Sequence, residues 1–166
     1  MRSPVASSKR AKKSAGVLLF RRVGAGVEVL LAHPGGPFWT RKDEQAWSIP
    51  KGEFEAEDPL EAARRELTEE TGAVVSGPVL PLAPIKQPSG KMVHAFAVEQ
   101  DFDLGAFHSN TFSIEWPPRS GRQQEYPEVD RVAWFPLDEA RLKMQRGQAA
   151  LLDQLLRILV IGPNTS

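Results

Sequence analysis

The order of elements along the chain predicts an α/β domain, and three observations carry that reading. Two β-rich runs separated by Gly24-Ala25-Gly26 lie near the N-terminus. A capped helical segment with a repeating apolar face follows between Asp58 and Gly72. Further β-rich runs then lead into an amphipathic helix over residues 148–160. At 166 residues the chain is long enough for one domain with a proper core and too short for two. Lys+Arg and Asp+Glu balance at 21 each, so no global charge draws the protein toward nucleic acid or an acidic membrane. The absence of cysteine excludes disulfides and thiolate metal sites and suits a reducing compartment. No run reaches the roughly 18 apolar residues that a bilayer crossing requires. The run AGVLLF after the N-terminal lysines is too short for a signal-peptide core. A cytoplasmic protein is expected.

Taken in order, residues 1–13 are Ser- and Lys-rich and are expected to form a disordered basic tail. The single domain is expected over 14–160, with a short tail at 161–166. Ala15 to Val23 and Val27 to His33 form a hairpin signal, and the second run alternates so little that burial on both faces is expected. Pro34 to Gln45 is a loop punctuated by Gly-Gly and two prolines. Within it, Phe38 and Trp39 either pack beneath the loop or form a platform for a base or ring. Trp47 to Ile49 reads as a short strand and Pro50-Lys51-Gly52 as a turn. Asp58 is suited to the N-cap of the helix, with Pro59 at its first position and Glu61 at its third. Leu60, Ala63 and Leu67 recur on one face and should point to the core.

After the helix, PVLPLAPIK carries three prolines suited to an edge or a bend. Pro88-Ser89-Gly90 is a turn, and Lys91 to Glu99 a strand in which His94 reads as a packed or surface histidine. Asp103 to Tyr126 reads as one long irregular loop, a kind that is usually functional or mobile. Arg119 and Arg122 in it either reach phosphates with their guanidinium forks or are simply exposed. Trp134 to Leu137 closes the last strand, and Asp138 begins a helix expected to end near Gly147.

The chemistry concentrates at the end of the first helix. Glu66, Glu69 and Glu70 stand at i, i+3 and i+4, so their carboxylates share one face. Placed in the last turn, each opposes the helix dipole by roughly 0.3–1 kcal/mol. Arg65, one residue from Glu66, is not expected to pair with it across a helical turn. A solvated acidic helix end is one reading of such a cluster. The other is a site for a hard divalent cation, which turns the repulsion into binding.

The residues around the cluster decide between these. The stretch from Gly52 to Ala73 resembles the Nudix box, G-x(5)-E-x(7)-R-E-U-x-E-E-x-G-U with U apolar. From Glu57 onward the match is complete: seven residues, then Arg65-Glu66-Leu67-Thr68-Glu69-Glu70-Thr71-Gly72-Ala73. One departure stands before it, because four residues separate Gly52 from Glu57 where the pattern has five. The wider sequence is similar to bacterial Nudix proteins described as predicted NTP pyrophosphohydrolases.

The resemblance implies a Nudix fold, an α/β/α sandwich around a mixed sheet, and Mg²⁺-dependent hydrolysis of a phosphoanhydride, with Mn²⁺ as a substitute. The substrate it implies is a nucleoside diphosphate linked to another moiety, a nucleoside triphosphate or a dinucleoside polyphosphate. ADP-ribose, RNA 5′ ends and a non-catalytic nucleotide sensor are the alternatives. It assigns metal binding to Glu66, Glu69 and Glu70, joined by the Gly52 carbonyl, by Glu57 and by Glu128. Glu128 lies six residues before Trp134, the spacing at which MutT-type proteins carry a metal-binding or basic glutamate; Glu125 is held in reserve. The proton acceptor is Glu66 or Glu128, and Arg65 orients the glutamates. Lys51, in a Pro-Lys-Gly form familiar from Nudix enzymes acting on dinucleoside or diphosphoinositol polyphosphates, either contacts a phosphate or serves solubility. The expected partner is a small nucleotide or dinucleoside polyphosphate rather than nucleic acid, with no membrane, in a monomer or homodimer.

Overall fold

The computed structural model describes residues 12–161. The strands are β1 (Lys13–Val23), β2 (Gly26–Pro34), β3 (Lys51–Phe54), β4 (Val79–Pro81), β5 (Ile85–Lys86), β6 (Met92–Glu99), β7 (Thr111–Glu115), β8 (Gln123–Pro127) and β9 (Val129–Pro136). The helices are α1 (Pro59–Thr71), α2 (Leu137–Lys143) and α3 (Ala149–Ile161), with a 3-10 turn at Leu104–Ala106. The main sheet runs β4-β6-β1-β2-β9, with β3 added to β1 and β5 to β6. β6 is parallel to β1 and the other pairings are antiparallel, so the sheet is mixed.

The continuous apolar runs of β1 and β2 explain the layering, since successive side chains of a strand point to opposite faces. Val17 and Leu19 of β1, with Leu30 and Ala32 of β2, join Ala62, Ala63 and Leu67 of α1 in one core layer. Leu18 and Phe20, with Val29 and Leu31, join Leu151, Leu152 and Leu155 of α3 in the other. Full burial of each such leucine or valine contributes about 1.5–3 kcal/mol. The architecture is therefore the α/β/α sandwich that the resemblance implies, and β1 and β2 are buried on both faces. Pro81, the proline of β4, sits on the sheet edge, where a missing N–H costs nothing.

α1 is closed at both ends. The Asp58 carboxylate accepts from the N–H groups of Leu60 at 3.1 Å and Glu61 at 3.3 Å. Gly72 adopts a φ of 87°, a conformation open to glycine, and returns its N–H to the Thr68 carbonyl at 2.8 Å. Leu60 is only half-buried; the fully buried face is Ala62, Ala63 and Leu67.

Several expectations are corrected. Lys51 and Gly52 are not a turn but the start of β3, which pairs with Lys13 to Gly16 of β1. A Cβ at Gly16 would lie 2.4 Å from the Pro50 carbonyl oxygen, so the bare glycine lets the two segments meet. Trp47 and Ser48 make isolated bridges to Met144 and Ala32 rather than a strand. Lys13 opens β1, so the boundary of the tail moves back; residues 1–11 and 162–166 lie outside the described residues. α2 stops at Lys143, short of Gly147.

The largest correction concerns Asp103 to Tyr126, which is not an irregular loop. It holds the 3-10 turn, β7 and most of β8, the two strands pairing as a separate hairpin with Phe112 opposite Tyr126. Thr-Phe-Ser-Ile-Glu alternates with period two, a strand signal that the neighbouring Pro117 and Pro118 hide. No helix among the described residues is long and apolar enough to cross a membrane.

Candidate active site

The acidic end of α1 lies directly under β3. Glu66 is buried, and a Cβ added to Gly52 would fall 2.1 Å from its carboxylate. A larger residue there would require the Glu66 carboxylate or the strand to shift. Glu70 accepts the backbone N–H of Lys51 at 3.2 Å. The backbone of β3 thus covers two of the three carboxylates, and the shortened segment between Gly52 and Glu57 leaves this contact in place.

Arg65 does pair with Glu66, against expectation. Its Nη1 donates to Glu66 Oε2 at 2.8 Å and reaches Glu69 at 3.4 Å. Its Nε and Nη2 grip Glu57 at 3.1 and 2.6 Å. Adjacent residues on a helix diverge, but a guanidinium with five donors on a long stem folds back far enough to bridge several carboxylates. Glu57 is therefore the far anchor of Arg65, which holds Glu66 and Glu69 in turn.

The remaining charges are poorly compensated. Burial, then Glu66 and Glu128, pushes the Glu70 carboxyl up to about 8. Burial also raises Glu66, with Glu69 and Glu128 adding to it and the Arg65 hydrogen bond opposing. Burial first and Glu69 second raise Glu128. Lys51 is lowered by burial and by neighbouring Lys91, and its ammonium makes no hydrogen bond or ion pair among the described residues.

A cavity of about 160 Å³ opens beside these groups. Ala32, Pro34, Ser48 and Ile49 lie along it, Lys51, Glu70 and Glu128 contribute its charged lining, and Val129 and Gln145 complete it. Among the described residues no three acidic or imidazole side chains converge into a closed metal cage. The donor set nonetheless suits Mg²⁺, which binds through one or two carboxylates and completes its shell with water and phosphate oxygen. The cradle that Gly52 leaves over Glu66, and the carboxyls raised by burial first and by one another second, are what such an ion would answer.

Glu128 occupies the peptide between β8 and β9. Its N–H donates to the Asn110 carbonyl at 2.8 Å, and its own carbonyl accepts from Gly35 at 2.9 Å. Asn110 N–H in turn donates to the Glu69 carbonyl at 2.8 Å, tying this segment to the end of α1. The fold therefore gathers Gly52, Glu57, Arg65, Glu66, Glu69, Glu70, Lys51 and Glu128. Glu125 points its carboxylate at Thr111, 2.9 Å away, across the β7–β8 hairpin.

The other candidates stand outside this group. Trp39 packs against the α3-side core, with the Lys42 ammonium 5.2 Å from its ring centre. Phe38 is 58% exposed and meets Trp116 edge-on at 5.2 Å. Arg119 and Arg122 are exposed on the turn between β7 and β8, and their guanidinium groups have no partner among the described residues. His94 is a strand residue packed against Phe54 at 5.8 Å.

Sequence reasoning missed Gln148. This fully buried side chain accepts from Ile49 N–H at 3.1 Å and donates to Ser48 Oγ at 2.9 Å, fixing the cavity floor to α3. A glutamine at the head of an apolar helix was the available signal.

Comparison with known proteins agrees with this architecture. The NUDIX domain of Shewanella oneidensis NrtR complexed with ADP ribose superposes with a TM-score of 0.64 at 17% identity, over 95% of this chain and 94% of that one. A C. elegans Ap4A hydrolase binary complex gives 0.61 at 20% identity, covering 90% and 98%. Shewanella oneidensis NrtR complexed with a 27mer DNA gives 0.55 at 17% identity, covering 88% of this chain and 61% of that one. No curated protein matches the chain. The NUDIX domain family model matches residues 10–155, and with the box residues gathered as described, the chain belongs to the Nudix family.

Proposed function

We propose that the protein is a Mg²⁺-dependent pyrophosphohydrolase acting on a nucleoside diphosphate linked to another moiety, a nucleoside triphosphate or a dinucleoside polyphosphate. The observation that carries this reading is that half-buried Glu70 lines one small cavity together with Lys51, whose ammonium has no hydrogen bond or ion pair among the described residues. Buried charges are normally paired. Opposite charges left uncompensated around one space suit a ligand made of a cation and a polyphosphate.

Glu66, Glu69 and Glu70, with the Gly52 carbonyl, would hold Mg²⁺ or Mn²⁺. Such an ion, held there, would supply charge neutralisation at the scissile anhydride and a lowered pKa for a water. Glu128 takes the water proton on a carboxylate oxygen, because it is exposed and its proton affinity is raised. Glu66 is less suited, being enclosed by Gly52 and already bonded to Arg65. Arg65 holds Glu66 and Glu69 in place, and Glu57 holds Arg65. Lys51 supplies a point charge to a phosphate oxygen. At about 160 Å³ the cavity is below the 300–1,000 Å³ typical of a whole-ligand pocket, so it takes the phosphates and leaves a base or second nucleoside outside. Exposed Phe38 offers a face for such a group, and Arg119 and Arg122 offer donors for further phosphates.

A second reading is a nucleotide sensor, favoured by the likeness in fold to an NrtR domain complexed with ADP ribose. A panel of diadenosine tetraphosphate, nucleoside triphosphates, ADP-ribose and 5′-triphosphate RNA, each with Mg²⁺ and with Mn²⁺, separates the two. Metal-dependent cleavage of a phosphoanhydride is the expected result. Tight binding of one compound with no product from any of them would favour the sensor.

A further inference from the structure

Glu128 differs from the box glutamates in having no helix to hold it. It sits at a junction between two strands and is itself exposed. What fixes its backbone converges on one hydroxyl. Ser109 Oγ accepts the N–H of Val129, the residue after Glu128, at 3.0 Å. The same hydroxyl donates to the Asn110 carbonyl at 2.8 Å. That carbonyl is also the acceptor for the N–H of Glu128 at 2.8 Å. Ser109 therefore touches both peptide groups that flank the Glu128 Cα, one directly and one through a shared acceptor.

From this geometry we infer that Ser109 is a positioning residue for Glu128, setting where its carboxylate stands relative to the end of α1. The inference rests on the role proposed above for Glu128. The opposite side of the junction is rigid by contrast. A Cβ on Gly35 would fall 1.9 Å from the Pro127 carbonyl oxygen, so Pro34 to Gly36 press directly on the strand end. The junction is thus held on one side by the Gly35 contact and its N–H bond to the Glu128 carbonyl, and on the other by the Asn110 carbonyl and the Ser109 hydroxyl, of which only the hydroxyl belongs to a side chain. Asn110 N–H, bonded to the Glu69 carbonyl at 2.8 Å, gives the Ser109 segment its fixed reference on α1. Loss of the Ser109 hydroxyl leaves Val129 N–H without that acceptor and frees the Asn110 carbonyl to shift.

The test is a double-mutant cycle on Ser109→Ala and Glu128→Gln, with Ser109→Thr as the conservative control. Hydrolysis of whichever substrate the panel identifies is measured beside amide hydrogen exchange by NMR. Ser109→Ala is expected to lower kcat five- to tenfold with KM unchanged, and Ser109→Thr to restore it. In the Glu128→Gln background the same change should have no further effect. Exchange at the Glu128 and Val129 amides should quicken at least tenfold in Ser109→Ala and stay unchanged in Glu128→Gln. A wild-type kcat in Ser109→Ala while Glu128→Gln is impaired would overturn the positioning role and leave the proposed reaction standing. So would a loss that simply multiplies with that of Glu128→Gln. Full activity in Glu128→Gln would overturn the role given to Glu128, and the inference with it.

Discussion

The two sides of the site are held by different forces. On one side, α1 is clamped by Ala62, Ala63 and Leu67 in the core, capped by Asp58 and Gly72, and overlaid by β3. Its glutamates inherit their positions from a rigid element, at the cost of burying like charges. On the other side, Glu128 follows an exposed hairpin and relies on backbone hydrogen bonds at a strand junction. Packing distributes its hold over many contacts, whereas a few hydrogen bonds concentrate it. The helical side is thus expected to keep its geometry when charges are changed, and the Glu128 side to respond to single atoms.

The most severe way to press this contrast is to remove charge without removing shape. Glu69→Gln or Glu70→Gln is expected to lower turnover by orders of magnitude while far-ultraviolet circular dichroism stays unchanged. Near-normal phosphate release would refute their assignment. Next in size is Gly52→Ala, which places a methyl where the Glu66 carboxylate lies. The carboxylate or the strand must move, and a displacement near 1 Å at a reacting centre costs about 10²-fold in rate. Lys51→Met should act on binding, raising KM roughly tenfold, or ~1.4 kcal/mol, with a smaller change in kcat.

The smallest effect has the opposite sign. The Glu70 carboxyl titrates near 8 in the fold against 4.5 in its ordinary state, so its ionisation opposes folding. Without divalent ions, this contribution is absent below pH 4.5 and grows as pH rises toward 8. Glu70→Gln should therefore raise the Tm of the metal-free protein at pH 8, by about 2–4 °C for each kcal/mol relieved. It should do so little at pH 4. Thermal melts in a chelator at the two pH values check this, and stabilisation of equal size at both would contradict it.

Much of the helical side was legible in the sequence, because its determinants are local. The cap at Asp58, the apolar repeat and the i, i+3, i+4 carboxylates all lie within one short segment. The contact of Gly52 with Glu66 was foreshadowed only by the box resemblance, and the reach of Arg65 to Glu66 was misjudged from spacing alone. The Glu128 side was less legible because it depends on partners far apart in the chain. Gly35 meets Pro127 and Glu128, and Asn110 meets both Glu69 and Glu128. Local pattern does not encode such pairings, and the period-two signal in Thr111 to Glu115 was short and overshadowed by prolines.

The central claim, that the buried acids of α1 become compatible neighbours through a divalent cation, is tested most directly by calorimetric titration of Mn²⁺ into metal-free protein. Wild type is expected to give saturable binding that strengthens with pH between 5 and 8, as the raised carboxyls lose their protons. Glu66→Gln combined with Glu70→Gln should abolish it. Binding of equal affinity in the double variant would contradict the claim.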